Sequence, residues 1–105
     1  MGGAKLLTQM IRLFLENAPT RLQQARTGVA DGNVREAERA VHSLKSSAAN
    51  VGAMKVSRAA AEMEELASAG NLAAVAELLP SLESAYAAAS ESLAAILERT
   101  VESEA

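Results

Sequence analysis

The sequence predicts an all-α protein: an antiparallel four-helix bundle with an additional N-terminal helix, or with a kinked first helix. Apolar residues recur every three or four positions along nearly the whole chain, which is the period of an α-helix. Half of the 105 residues are apolar and only 2% are aromatic, so the core must be aliphatic and rich in alanine, a strong helix former. Short segments containing Gly or Asn interrupt the pattern, as expected for tight turns between antiparallel helices. One domain over residues 1–105 is expected at this length, with its core at about 6–97.

The N-terminal part of the chain predicts two helical segments. The first covers about residues 4–17, and the second runs from Pro19, which suits a first helical turn, to about residue 30. The apolar face of the first segment consists of Leu6, Leu7, Met10, Ile11, Phe14 and Leu15. The opening MGG at residues 1–3 is interpreted as a remnant of cloning, which would make the chain a piece excised from a larger protein.

The middle of the chain predicts a helix over about 34–50. Asn33 and Glu36 have the spacing of an N-cap residue and its capping-box partner. The stripe expected to be buried consists of Val34, Ala37, Val41, Leu44 and Ala48. Gly52 permits a tight turn into the next helix, where an alanine would be strained if the backbone has a positive φ.

The C-terminal half predicts two more helices. The first extends from about 53 or 54 to 69, and Asn71 is the expected cap of the segment that follows. Pro80 lacks an amide proton and is expected to kink or split that last segment near residues 76–80. A seam of apolar or small residues runs along it at positions 75, 79, 82, 86, 89, 93 and 96. Residues 100–105 are polar and are expected to fray.

Composition argues against several classes of function. The formal net charge is −3 and the ten basic residues are dispersed, which argues against nucleic-acid binding and against a basic membrane-surface helix. The chain has no cysteine, so disulfides, thiolate metal sites and cysteine nucleophiles are excluded. No apolar run has the length of a transmembrane helix, and neither a signal peptide nor a glycine-rich phosphate loop is present. These features are compatible with a cytosolic protein.

The single histidine, His42, lies in the segment AVHSLKSSAANVGA at residues 40–53. At about 100° per residue, it stands about 120° from the centre of the buried stripe, on the exposed flank of the helix. Zinc would need three or four donors, and the chain has no second histidine. A serine triad would need an oxyanion hole that a helix interior cannot offer, and a general base would need a substrate pocket. A solvated surface residue and a nucleophile remain, and the small neighbours and the cation of Lys45 favour a nucleophile that accepts a phosphoryl group.

The residues around His42 resemble the hallmark of histidine-containing phosphotransfer (HPt) domains of multistep two-component phosphorelays. That hallmark is an exposed His, followed by Leu and Lys two and three positions later, by small residues and by a Gly-Ala turn. It corresponds here to His42, Leu44, Lys45, Ser46, Ser47, Ala48, Asn50, Gly52 and Ala53. Of these, Leu44 would be a core residue and Gly52 would permit the turn. The likeness extends over about residues 6–97 and includes FLENAPTRL before the motif and EMEELASAGN after it.

The resemblance implies a phosphorelay intermediate without an ATP site, rather than a complete enzyme. His42 would attack through Nε2, accept a phosphoryl group from a phospho-aspartate on one receiver domain, and pass it to an aspartate on another. Lys45 would stabilise the phosphoryl charge as a mobile cation. Glu64 is the candidate for hydrogen-bonding the other imidazole nitrogen, with Glu65 as the second choice. A solvated charge remains an equally good interpretation of Glu64.

The expected partners are response-regulator receiver domains, which would supply Mg²⁺, so this chain would need no cofactor or metal of its own. A receiver should cover the face around His42, together with the first helix. That face consists of Arg35, Glu38, Arg39, Lys45, Ser46 and Ala49. The protein would be a cytoplasmic monomer, either a free-standing carrier or the cytoplasmic module of a membrane-bound hybrid sensor kinase. A variant is the histidine-bearing domain of a chemotaxis-type kinase, phosphorylated by a kinase domain.

Two points stay open. HPt domains usually have glycine four residues after the histidine, and this chain has Ser46 there. Its hydroxyl could bond back to the His42 carbonyl or crowd the phosphoryl group. The alternative function is a non-phosphorylated helical adaptor or dimerisation bundle, in which the seam from Val75 to Ile96 would contact another chain and His42 would be incidental.

Overall fold

The computed structural model describes the backbone of residues 2–104 and the side chains of residues 5–100. This part of the chain forms four α-helices, namely α1 (Gly2–Ala30), α2 (Val34–Asn50), α3 (Met54–Ser68) and α4 (Leu72–Glu104). The helices are joined by short turns, so neighbouring helices run antiparallel. Each helix packs against the next, and α4 packs against α1, which closes the bundle. The predicted all-α bundle is confirmed for these residues.

The predicted additional N-terminal helix is wrong. A single helix, α1, continues from Gly2 through Pro19 to Ala30. Its buried stripe stays in phase on both sides of the proline and consists of Ile11, Phe14, Ala18, Leu22 and Ala25. Pro19 itself is exposed, so water can bond the carbonyl that the missing amide proton leaves free. Packing of the continuous stripe therefore offsets the local cost of the proline.

The predicted split near residues 76–80 is also wrong, because Pro80 lies inside the single helix α4. The proline is exposed, while Val75, Leu79 and Leu82 are buried around it. The backbone of α4 extends to Glu104, into the segment expected to fray. The side chains of residues 1–4 and 101–105 lie outside the described part of the structure, so neither the MGG interpretation nor the rest of the tail prediction is tested.

The apolar seam of α4 faces the core of its own bundle. Its members Val75, Leu79, Leu82 and Leu93 are buried, and Tyr86, Ala89 and Ile96 pack against the core at partial exposure. The ring of Tyr86 lies 5.7 Å from the ring of Phe14, centroid to centroid, at an interplanar angle of 60°. This tilted contact joins α4 to α1. The bundle itself therefore buries four of the seven seam positions.

The turns at both ends of α2 fix the helix that carries the histidine. The side chain of Asn33 accepts a hydrogen bond of 3.1 Å from the Glu36 amide. The Asn33 amide donates to the Gly28 carbonyl at 2.8 Å, so Glu36 does not complete a capping box. At the other end Gly52 has a φ of +77°, in the left-handed region that favours glycine. The predicted bounds of α2 and the predicted cap of α4 at Asn71 are confirmed.

Candidate functional site

The buried stripe of α2 fixes where the histidine points. Val41 and Leu44 are fully buried, and the side chain of His42 between them is 63% exposed. Because successive side chains are about 100° apart on a helix, His42 lies about 100° from Val41 and about 160° from Leu44, so burial of these two side chains turns the imidazole outward. The stripe itself consists of Ala37, Ala40, Val41, Leu44 and Ala48, with Val34 at partial exposure. The three alanines and two valines beside Leu44 are short, which lets the adjacent helices approach closely.

A carboxylate from α3 joins the histidine to the lysine one turn later on α2. Oε2 of Glu64 lies 2.5 Å from Nδ1 of His42. Oε1 of the same carboxylate accepts a hydrogen bond of 2.6 Å from Nζ of Lys45. The Glu64 side chain is 20% exposed and the Lys45 side chain 36% exposed, so the pair lies in the groove between α2 and α3. Glu65, the second choice for this position, is exposed.

The electrostatics of this cluster select one imidazole nitrogen. The Lys45 hydrogen bond, with a smaller contribution from His42, lowers the pKa of Glu64 below its usual 4.5, although desolvation acts against the shift. An ionised carboxylate can only accept hydrogen bonds. Nδ1 of His42 must therefore carry the proton that lies between the two groups. In the neutral ring, this leaves Nε2 with a free lone pair, and Nε2 belongs to an exposed side chain.

A row of polar contacts extends this cluster along the groove between α2 and α3. The hydroxyl of Ser57 donates to the Lys45 carbonyl at 2.9 Å, and the hydroxyl of Ser68 donates to the Glu38 carboxylate. Sequence reasoning did not find either serine. The available signal is spacing, because Ser57, Glu64 and Ser68 share one face of α3 at intervals of seven and four residues.

The residues predicted to dock a partner lie around the histidine, and they differ in exposure. Arg35, Arg39, Ser46 and Ala49 are exposed along α2. Glu38 is at partial exposure, and its carboxylate is held by Ser68. The exposed row thus carries cations on the N-terminal side of the histidine and small side chains on the C-terminal side.

The first helix borders the same face. A shallow, mostly apolar groove of about 160 Å³ lies between α1 and the C-terminal part of α2. Met10, Leu13, Phe14, Asn17, Ser47, Asn50 and Val51 line it. Leu13 is 56% exposed, so α1 contributes a large apolar side chain to this surface.

The described residues contain no group of three or more His, Cys, Asp or Glu side chains arranged to hold a metal ion. In the same part of the chain, no helix combines the length and the apolar character that a membrane crossing requires. The chemistry that the cluster offers is therefore that of one oriented imidazole beside an ion pair.

Comparison with known families identifies the family of this chain. The family model of the Hpt domain matches residues 9–99, a range that includes His42, Lys45 and Glu64. The chain belongs to the Hpt domain family. Hpt domains carry out histidine phosphotransfer in phosphorelays, interact with receiver domains and lack an ATP-binding catalytic site. Searches of curated proteins and of solved structures gave no significant match to this Hpt domain.

Proposed function

We propose that this Hpt domain relays a phosphoryl group from the phospho-aspartate of one receiver domain to the aspartate of another, with His42 as the phosphorylated residue. The observation that supports the proposal best is the contact of 2.5 Å between Nδ1 of His42 and Glu64 on an imidazole that is 63% exposed. That contact engages the inner nitrogen and leaves the outer one, Nε2, for the incoming phosphorus.

The proposed step conserves atoms and charge. The lone pair on Nε2 of His42 forms a bond to the phosphorus of the phospho-aspartate. The bond between that phosphorus and the aspartate oxygen breaks, and its electron pair stays with the aspartate, which leaves as a carboxylate. The proton on Nδ1 stays between His42 and Glu64, where the carboxylate stabilises the positive charge that the ring gains. Transfer to the second receiver is the same step in reverse.

Lys45 has two roles in this proposal. Its hydrogen bond of 2.6 Å holds the Glu64 carboxylate in place, which makes Lys45 a positioning residue for the imidazole. Its ammonium group also adds positive charge near the site where the phosphoryl group arrives. Mg²⁺ would come with the acidic cluster of the receiver, and the Hpt domain would contribute no ligand to it.

The surface around His42 fits a receiver in both charge and polarity. Arg35 and Arg39 are exposed one turn apart on the approach to the histidine, and they would attract an acidic partner. Ser46 and Ala49 leave room on the other side, and Leu13 of α1 offers an apolar contact at the edge. We therefore place the docking surface over α2 and the N-terminal half of α1.

The test is transfer from a phosphorylated receiver with Mg²⁺. Wild-type protein should acquire label that is acid-labile and base-stable, as expected for phosphohistidine, and His42→Gln should acquire none. Ser43→Ala on the same helix is the matched control and should be labelled like wild type. Undiminished labelling of His42→Gln, or no labelling of wild type by any receiver of a panel, would overturn the proposal. The second outcome would leave the helical adaptor as the remaining function.

A further inference from the structure

Ser46 is a neighbour of His42 on the exposed surface of α2. It follows His42 by four residues on α2, and side chains at this spacing are neighbours on a helix surface. Side chains of a helix lean toward its N-terminus, so Ser46 leans toward the turn that carries His42. Both side chains are exposed, and Ser46 therefore borders the space above the imidazole.

The hydroxyl of Ser46 is unengaged, in contrast to the serines around it. The Ser47 hydroxyl bonds back to the carbonyl of Ser43 at 3.0 Å, and the Ser57 hydroxyl donates to the carbonyl of Lys45 at 2.9 Å. No hydrogen bond joins the Ser46 hydroxyl to another described residue. In particular, the hydroxyl makes no bond to the His42 carbonyl, which was one of the two roles open to it. The donor is free to bind an incoming group.

The opposite flank of His42 is already occupied. Lys45 and Ser46 lie three and four residues after His42, so their side chains fall on either side of it around the helix. On the Lys45 side, the ammonium group is bound to the Glu64 carboxylate at 2.6 Å. A phosphoryl group there would meet a cation whose charge is shared with an anion. On the Ser46 side, it would meet a neutral donor with no competing acceptor.

We propose that the Ser46 hydroxyl donates a hydrogen bond to an oxygen of the phosphoryl group on Nε2 of His42 and so stabilises the phosphorylated domain. This inference rests on the proposed function. The bond exists only when His42 is phosphorylated, so it favours phosphorylated over unphosphorylated protein. It also gives the serine at this position a role that a glycine there could not have.

The experiment is a competition for phosphoryl groups between two versions of the domain. Wild-type protein and a variant of different mass are mixed in equal amounts with phosphoramidate, Mg²⁺ and a trace of a receiver that phosphorylates wild type. The receiver exchanges phosphoryl groups between the two proteins until the ratio is constant, and mass spectrometry reads that ratio. Because both proteins share one receiver, the stability of its own phospho-aspartate cancels.

A hydrogen bond predicts a pattern over three substitutions. Ser46→Ala and Ser46→Gly should both hold about five-fold less phosphate than wild type, the factor for a hydrogen bond of ordinary strength. Ser46→Thr keeps the hydroxyl and should compete within about two-fold of wild type. Ser43→Ala is the matched control on the same helix and should share phosphate equally. Circular dichroism before mixing should show that all four variants are folded.

The outcomes separate the two proposals. Equal sharing between wild type and Ser46→Ala would overturn the role of Ser46 and leave His42 as the acceptor. A Ser46→Gly variant that holds more phosphate than wild type would show that serine crowds the phosphoryl group, and would also overturn it. No phosphate on His42 of any version would overturn the proposed function itself.

Discussion

Replacing Glu64 by glutamine tests how far the reactivity of His42 depends on the carboxylate. Glu64 accepts from two donors at once, Nδ1 of His42 at 2.5 Å and Nζ of Lys45 at 2.6 Å. A glutamine side chain has one acceptor oxygen, and its amide nitrogen would point a donor at the second donor. Glu64→Gln must therefore give up one of the two hydrogen bonds, although its size and shape are nearly those of the glutamate.

The expected loss of stability follows from the exposure of the two donor side chains. A hydrogen bond to a charged group is worth about 1.5–3 kcal/mol. Here the side chains of His42 and Lys45 are 63% and 36% exposed, and water can replace part of what is lost. We therefore expect a loss of about 1 kcal/mol in the free energy of unfolding, below that range because of solvent screening. For a domain of this size, that corresponds to a melting temperature lower by about 4–8 °C. If the same bond orients the imidazole in the reaction, transfer should slow by about five-fold.

The stability difference should also depend on pH in one direction. The pKa of Glu64 in the folded protein lies below its usual 4.5, first because of Lys45 and then because of His42. A lowered pKa means that the ionised carboxylate adds stability fully above about pH 4.5, and that this stability is lost as the pH falls through the folded value. Glu64→Gln has no such group. The two melting temperatures should thus differ most near neutral pH and converge in acid.

Thermal unfolding at about pH 7 and about pH 3, together with transfer time courses at neutral pH, measures these effects. Nitrogen NMR of the imidazole reports which nitrogen carries the proton and should show a weakened preference for protonated Nδ1 in Glu64→Gln. Glu65→Gln is the matched control, because Glu65 is exposed and makes none of these contacts. If Glu64→Gln matches Glu65→Gln in melting temperature, imidazole protonation and transfer rate, the carboxylate does not orient His42 and the prediction is wrong.

Three further predictions concern the docking surface, the packing of α1 on α2 and the turn between these two helices. Arg39→Glu should slow transfer by weakening encounter, with an effect that shrinks as salt is added and a stability within about 0.5 kcal/mol of wild type; a strong change in melting temperature with normal transfer would contradict it. Gly28→Ala should lower stability by about 1–2 kcal/mol in urea unfolding, because a Cβ there would lie 2.7 Å from the Ala37 amide nitrogen, and overpacking outweighs the gain in helix propensity. A Gly28→Ala variant more stable than wild type would refute this steric explanation. Gly32→Ala should lower the free energy of unfolding by about 1 kcal/mol through backbone strain alone, because φ is +71° there and nothing lies within 4 Å of the added Cβ.

The sequence predicted well those parts of the fold that depend on the properties of single residues. Asn33 and Gly52 bound α2 because a side-chain cap and a positive φ are properties of single residues. The errors lie at Pro19 and Pro80, where the local rule predicts an interruption. In both cases the buried stripe keeps its helical phase across the proline, and the proline faces solvent. Tertiary packing keeps the helix continuous at these two positions, and a rule about single residues takes no account of tertiary packing.

The candidate site likewise contains a residue that the sequence predicts and contacts that it does not predict. The family resemblance implied a polar partner for the imidazole on the following helix, and Glu64 was the candidate because the position of a residue on a helix face depends on its number and on the turn. The Lys45–Glu64 pair and the two serine contacts of Ser57 and Ser68 depend on side-chain conformations across two helices. Spacing shows that such residues share a face, but it does not show which acceptor each donor chooses.

The turn at residues 51–53 determines how α2 and α3 are aligned at the site. It sets which side of α3 faces α2, because adding or removing one residue in the first turn of α3 would shift every later residue by about 100° around the helix axis. Such a rotation would replace Glu64 by a different side chain and separate Nδ1 from its acceptor. The positive φ of Gly52 keeps this connection short, and the amide of Ala53 closes it onto the Ala48 carbonyl at 2.9 Å. The glycine therefore contributes to the contact between His42 and Glu64, because it fixes the register of α3 on α2.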